Sequence, residues 1–260
     1  MLTSIIIPAH NEEKRIGKTL DSYAYFFEKK KKESRDFEII VVLNACKDNT
    51  MGVVKAAEKK FREIKHLDFK EGGKGFAVIE GFKEALKDKA EIIGFVDADM
   101  ATSPEYFYEL IKKIGNYDGA IASRYVKNAK VYPKQSIARI FASRIFNFIL
   151  RFLFFLPYKD TQCGAKIFRR KVIEKILPKL TITRWAFDVD LLYQARRAGF
   201  KIREIPSVWS DRAFSKIKLA RSGIPMVLAI IRLKIINSPL KSFMRLYDRM
   251  PEWAKIHHRL

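Results

Sequence analysis

The sequence predicts an α/β fold, a mostly parallel sheet with helices packed on both faces. Three observations carry this. Short Ile- and Val-rich runs alternate with amphipathic helical stretches through the first half of the chain. The runs are almost continuously apolar rather than alternating, as strands covered on both faces are. Polar residues cluster directly after each run, where the carboxyl ends of parallel strands receive ligands.

The elements follow in order. Ser4–Ile7 predicts the first strand and Glu12–Lys29 a helix. Glu38–Leu43 and Ile64–Phe69 predict two more strands, with a helix over Thr50–Arg62 between them. A helix over Phe76–Lys87 leads to a fourth strand, Ile92–Val96. Pro104–Ile114, with Ser103 as N-cap and proline in the first helical position, leads to a fifth, Gly119–Ala122. Beyond about Lys127 the pattern is less regular. Ser136–Leu156 reads as a helix on which Arg139, Ser143, Asn147 and Arg151 recur every four residues as one polar stripe, the rest being Ile, Leu and Phe. An apolar helix with arginines suits a membrane surface, and Ile224–Ile236 has the same character. The expected organisation is a catalytic domain over residues 1–215 and a basic-apolar helical tail over 216–260.

With 51 Lys+Arg against 29 Asp+Glu, the net charge of +22 calls for a polyanionic partner: nucleic acid, anionic lipid or a phosphorylated substrate. Cys46 and Cys163 are too few and too far apart for a disulfide framework or a zinc pattern, which favours a reducing compartment. The start, MLTSIIIPAHNEE, reads as a strand rather than a signal peptide. No apolar run reaches the ~18 residues of a membrane span, since Asn147 and Arg151 interrupt Ile145–Tyr158. A soluble or peripheral protein is expected.

The clusters after the strands are Pro8-Ala9-His10-Asn11-Glu12-Glu13, then Asn44, Asp48 and Thr50, then Gly72-Gly73-Lys74-Gly75, then Asp97-Ala98-Asp99. Converging on one sheet edge, they make one site. Two carboxylates following a buried strand are costly unless a cation or hydrogen bonds compensate them. Hard oxygen ligands suit Mg²⁺ or Mn²⁺ shared with substrate phosphates. The glycines around Lys74 permit close backbone approach, but the spacing is neither a P-loop nor a dinucleotide fingerprint.

In this order the clusters resemble family 2 glycosyltransferases of the GT-A fold. Asp160-Thr161-Gln162-Cys163-Gly164-Ala165-Lys166-Ile167-Phe168 and Arg184-Trp185-Ala186-Phe187-Asp188-Val189-Asp190-Leu191-Leu192 narrow the resemblance to the dolichyl-phosphate β-glucosyltransferase branch, related to dolichol-phosphate mannose synthases. It covers roughly Thr3 to Lys216. It implies that Pro8, Ala9, Asn11, Glu12, Asn44, Asp48, Gly73, Lys74 and Ala98 serve the nucleotide sugar. Asp97 and Asp99 would meet its diphosphate and the metal, with Gln162 beside the sugar. Ser123, Arg124, Arg139 and Ser143 would face the acceptor phosphate, and Asp97, Asp99, Arg124 and Arg139 would carry the reaction. Arg212 and Lys216 resemble a basic loop closing over the donor, compressed and without its usual glycine. Leu43 and Asn44 stand where the family usually has two aspartates, which leaves uracil and guanine both open.

The expected activity is inverting, metal-dependent transfer of glucose or mannose from UDP-glucose or GDP-mannose to a polyprenyl (dolichyl) phosphate. The expected place is the cytoplasmic face of a membrane, on an anionic surface. The alternative is a family 2 enzyme with a soluble or cell-surface glycan acceptor, for which Asp188 or Asp190 would act as base. A sugar nucleotidyltransferase would carry a glycine-rich loop after the first strand, where Pro-Ala-His-Asn stands. Nucleic acid is not an expected partner, because the aromatic-basic interleaving of a known module is missing.

Overall fold

The structure, a computed structural model, describes residues 1–31, 36–132, 137–181, 186–210 and 219–238. Its main sheet contains β1 (Leu2–Ala9), β2 (Asp36–Asn44), β3 (Ile64–Phe69), β4 (Ile92–Phe95), β5 (Gly119–Ser123), β7 (Lys166–Arg169) and β8 (Ile202–Pro206), in the order β3-β2-β1-β4-β7-β5-β8. Neighbouring strands are parallel except for β7, which runs antiparallel between β4 and β5. β6 (Lys130–Tyr132) and β9 (Val208–Ser210) form a small parallel pair.

Helices cover both faces. Ile5 and Ile7 point into one core with α1 (Ile16–Lys30), α2 (Thr50–Lys60) and α4 (Pro104–Lys113), through Leu20, Tyr23, Val54, Phe107 and Ile111. Ile6 points into the other with α3 (Lys74–Lys87), α5 (Ile137–Phe154), α6 (Arg170–Ile176), α7 (Phe187–Arg197) and α8 (Leu219–Ile236). Ile5, Ile6 and Ile7 are all fully buried, which is why the run is continuous rather than alternating. Each such side chain contributes roughly 1.5–3 kcal/mol by leaving water. α3 lies so close to β1 that a Cβ on Gly81 would stand 2.5 Å from Ile6. Ile230 and Leu233 of α8 belong to the second core, so this stretch of the tail docks on the body.

Several boundaries differ from the sequence reading. α1 begins at Ile16 rather than Glu12, because the Glu12 carbonyl closes a turn onto the amides of Arg15 and Ile16. α3 begins at Lys74, which puts the lysine in its first turn. Ser103 stands at the N-cap of α4, but its hydroxyl donates to Glu105 and caps no amide. The four-residue stripe of α5 is not one wet edge. Asn147 is buried, the Ser143 hydroxyl is taken by Tyr125, and Arg151 is exposed. The side chain of Arg139 lies outside the described residues, as do Arg184, Trp185, Arg212 and Lys216. Among the described residues no helix is long and apolar enough to cross a membrane.

Candidate active site

The carboxyl ends of β1, β2, β3 and β4 bring the four clusters together. Asn44 is the tie between them. Its amide donates to the Ala9 carbonyl at 2.9 Å and accepts from the Gly73 amide at 3.1 Å, while its own carbonyl meets His10 Nδ1 at 2.7 Å. A carboxylate could accept from Gly73 but could not donate to Ala9, which gives a physical reason for an amide at 44. Further bonds latch the β1 loop to the β2 loop. The Glu12 amide donates to Thr50 Oγ1 at 2.8 Å, and Asp48 accepts from the amides of Glu13 and Thr50. These bonds outweigh burial and hold Asp48 below its ordinary value. Arg15 grips Glu12 with two bonds.

Backbone strain gathers at the same edge. Asn11, Ala45 and Met100 have φ of 54°, 50° and 60°, and Gly73 has φ of 135°. A left-handed alanine or methionine is costly and persists only where its surroundings fix it. Each lies just beyond a strand end, where the chain turns to present Asn11, the Gly73 loop and Asp99.

Asp97 and Asp99 follow β4. Asp99 accepts from the Ala101 amide at 2.9 Å, and burial followed by the charge of Asp97 raises its pKa above the ordinary carboxylate value. Lys74 Nζ is 2.7 Å from Asp97 and 3.7 Å from Asp188. Burial opposes the charge on Lys74, but Asp188 and Asp97 prevail and hold its pKa above the usual lysine value. Behind it, Lys166 of β7 is fully buried and donates to Asp188 Oδ1 at 2.6 Å. Sequence reasoning missed Lys166; a lysine inside the run Gly-Ala-Lys-Ile-Phe was its only signal. Burial disfavours ionised Asp188, yet Lys166 and Lys74 together lower its pKa. Asp190 is fully buried and accepts from Thr181 and Gln194.

The chain returns to Asp97 through Gly164, where a Cβ would fall 1.9 Å from Asp97 Oδ2. Only glycine permits this contact. Half-buried Gln162 is two residues away, and the neighbouring Cys163 thiol is pushed up to about 11 by burial, which makes it inert. Arg124, just after β5, forks onto the fully buried Asp160 through Nε and Nη2 at 2.8 and 2.9 Å, and its amide donates to the same carboxylate. Its guanidinium also lies 5.3 Å from the ring centroids of Tyr125 and Trp209. Buried Ser123 accepts from the Tyr125 amide through its hydroxyl.

The donor set of Asp97 and Asp99 fits a hard divalent cation. Among the described residues no group of three or more His, Cys, Asp or Glu assembles to cage an ion. Two carboxylates with the remaining positions left to phosphate oxygens and water is how Mg²⁺ is commonly held.

The sequence profile described as Glycosyl transferase family 2 matches residues 4–177. The dolichyl-phosphate beta-glucosyltransferase of Dictyostelium discoideum is 33% identical over 242 residues, covering 89% of this chain and 73% of its own. The human protein of the same name is 32% identical over 250 residues, covering 90% and 76%. Among solved structures, glucosyl-3-phosphoglycerate synthase from Mycobacterium tuberculosis, in complex with Mn²⁺, UDP and phosphoglyceric acid, superposes with a TM-score of 0.67 at 16% identity, covering 91% of this chain and 80% of its own. A mannosyltransferase from Pyrobaculum calidifontis with GDP-Man and Mn²⁺ gives 0.62 at 16% identity, covering 91% and 64%. At these identities the two structures speak to the fold alone, which is of the GT-A type.

Proposed function

The chain belongs to glycosyl transferase family 2, and we propose that it moves glucose from UDP-glucose to the phosphate of a polyprenyl (dolichyl) lipid, with inversion at the anomeric carbon. The observation that carries this reading is identity of about one third, over nine tenths of the chain, with dolichyl-phosphate beta-glucosyltransferases.

The site supports the transfer chemistry. A phosphate acceptor is already anionic, so no general base is needed. Its oxygen bonds to the anomeric carbon as the bond from that carbon to the diphosphate oxygen breaks on the opposite side. UDP leaves with the electron pair. Lys74, steered by Asp97 and Asp188, is a cation for the diphosphate. Arg124 keeps guanidinium N–H groups beyond its fork onto Asp160, and these would hold the acceptor phosphate in line. Asp97 and Asp99 would hold Mg²⁺ or Mn²⁺, which offsets the charge of the departing diphosphate. Asn44, Asp48 and Gly73 shape the nucleotide side by fixing its loops, with Pro8, Ala9, Asn11, Glu12 and Ala98 around it. Gln162 and Ser123 flank the sugar and acceptor sides. Residues 1–215 act as the catalytic domain, peripheral on the cytoplasmic face of a membrane, with the acceptor drawn from the bilayer.

The test is a panel of UDP-glucose, UDP-galactose and GDP-mannose, each with a polyprenyl phosphate and detection of the lipid product. Glucosyl lipid formed from UDP-glucose, with UDP released only when the lipid phosphate is present, is the expected result. Transfer to a soluble glycan, or release independent of the lipid, would overturn the reading.

A further inference from the structure

A groove of about 570 Å³ lies beside α5, lined by Tyr125, Arg144, Ile145, Asn147, Phe148, Arg151 and Lys159. Neither Asp97, Asp99 nor Arg124 lines it. It holds three cations, and among the described residues no carboxylate forms an ion pair with any of them, whereas Lys65 alone meets Glu38, Glu84 and Asp88. Arg144 lies 5.9 Å from the centroid of the Tyr125 ring and Arg124 lies 5.3 Å from it. Tyr125 therefore touches both the groove and the guanidinium of the Arg124–Asp160 pair.

The wall of the groove is also the edge of an apolar surface. Phe148, Phe152 and Phe155 are 66%, 71% and 71% exposed, and Ile145 and Ile149 stand out beside them. A solvated surface has no reason to present two phenylalanines of α5 and a third just past its end to water. Entry of these rings into the acyl boundary of a bilayer would set Arg144, Arg151 and Lys159 at headgroup depth. The groove is larger than a free phosphate needs, and it joins cations to apolar walls, as a headgroup with its glycerol requires.

The geometry points to a second phosphate site: Arg144, Arg151 and Lys159 form a clamp for the headgroup of a bulk anionic phospholipid, distinct from the acceptor phosphate at Arg124. Planar guanidiniums grip two phosphate oxygens at once, so the clamp discriminates among headgroups rather than merely adding positive charge. The inference rests on the lipid-phosphate reading only in expecting a bilayer beside the site.

The test uses the full chain and vesicles of phosphatidylcholine alone or mixed with phosphatidylglycerol, without donor or polyprenyl phosphate. The triple variant Arg144→Gln, Arg151→Gln, Lys159→Gln removes three exposed charges. A control variant, Lys18→Gln, Lys55→Gln, Lys59→Gln, removes the same charge from α1 and α2. Each groove charge is expected to be worth about fivefold in partitioning, so the groove variant falls about a hundredfold on anionic vesicles while its binding to neutral ones persists. The control variant falls several-fold at most. Equal loss in both variants, or none in the groove variant, overturns the clamp. Loss of transfer to polyprenyl phosphate in detergent micelles, with anionic-vesicle binding intact, would put the acceptor itself in the groove and also overturn it. Wild-type protein that binds anionic vesicles in this manner but transfers no sugar would instead strike the proposed activity and leave the clamp standing.

Discussion

Lys166 Nζ donates to Asp188 Oδ1 at 2.6 Å although no part of the Lys166 side chain reaches solvent. The second oxygen of Asp188 faces Lys74, so a buried ion pair sets the position of the cation proposed to meet the diphosphate. Removing one partner of such a pair leaves the other charge stranded and typically costs ~3–5 kcal/mol. Lys166→Met is expected to lower the melting temperature by roughly 2–4 °C per kcal/mol lost, read by calorimetry. It should also raise the KM for the nucleotide sugar, because Lys74 is then drawn wholly by Asp188 and Asp97. An unchanged KM would show that Lys74 is positioned without help.

The same pair sets an acid limit. Asp188 has a lowered folded-state pKa, so the stability it supplies is complete above the unfolded carboxylate value of roughly 4 and drains away as pH falls through the folded one. The difference in melting temperature between wild type and Asp188→Asn should therefore be constant from about pH 7 to about pH 5 and shrink only below about pH 4. A difference that already narrows at pH 6 would contradict the assignment.

Asp99 behaves in the opposite sense. Burial and Asp97 raise its pKa, so at neutral pH its ionised form weakens the metal-free fold, and this weakening appears as pH rises through the folded value. Asp99→Asn should melt higher than wild type in EDTA at neutral pH, yet lose transfer by about 10²–10³-fold or more. Loss of stability together with activity would refute the trade.

Gly164 tests the join between the two halves of the site. Gly164→Ala places a methyl 1.9 Å from Asp97 Oδ2, so the carboxylate must swing away. A displacement of about 1 Å at a reacting centre costs on the order of 10²-fold in kcat. Transfer rate and circular dichroism, measured together, should show a slow but folded enzyme.

Arg124→Ala strips two bonds from the fully buried Asp160 and should cost ~3–5 kcal/mol of stability as well as acceptor affinity. Arg124→Lys keeps the charge but loses the fork. It should recover most of the melting temperature while the acceptor KM stays about tenfold raised. If lysine restores both, Arg124 is structural only.

The first half of the fold is written plainly in the sequence because β1, β4 and most of β2 are buried. Ile5, Ile6 and Ile7 need apolar character on both faces, and the polar turns after them stand out by contrast. Asp97, Asp99 and Lys74 could be placed together because parallel strands bring their carboxyl ends to one edge. The second half is less legible for a physical reason. β7 spans only Lys166–Arg169 and opens on a buried lysine whose compensation, Asp188, is 22 residues away. Asp160 read as part of a motif, but its partner Arg124 is supplied by the end of β5. The period of α5 gave its polar positions correctly and their surroundings wrongly. Whether Asn147 is wet or buried depends on Thr161, whose amide and hydroxyl both donate to it.

The position of β7 also sets an order of events during synthesis. Among the described residues β5 pairs with β7 and β8 alone, both made after it, and the outer edge of β4 waits for β7 as well. A nascent chain that has emerged only as far as Ser123 carries two strands with unpaired amides, the kind of edge that recruits other chains. Some forty residues, the apolar α5 among them, must follow before β7 can join β4 to β5, and nearly eighty before β8 completes the sheet. During that interval the growing polypeptide has the most to gain from a chaperone, or from a lipid surface that α5 can meet before the enzyme is whole.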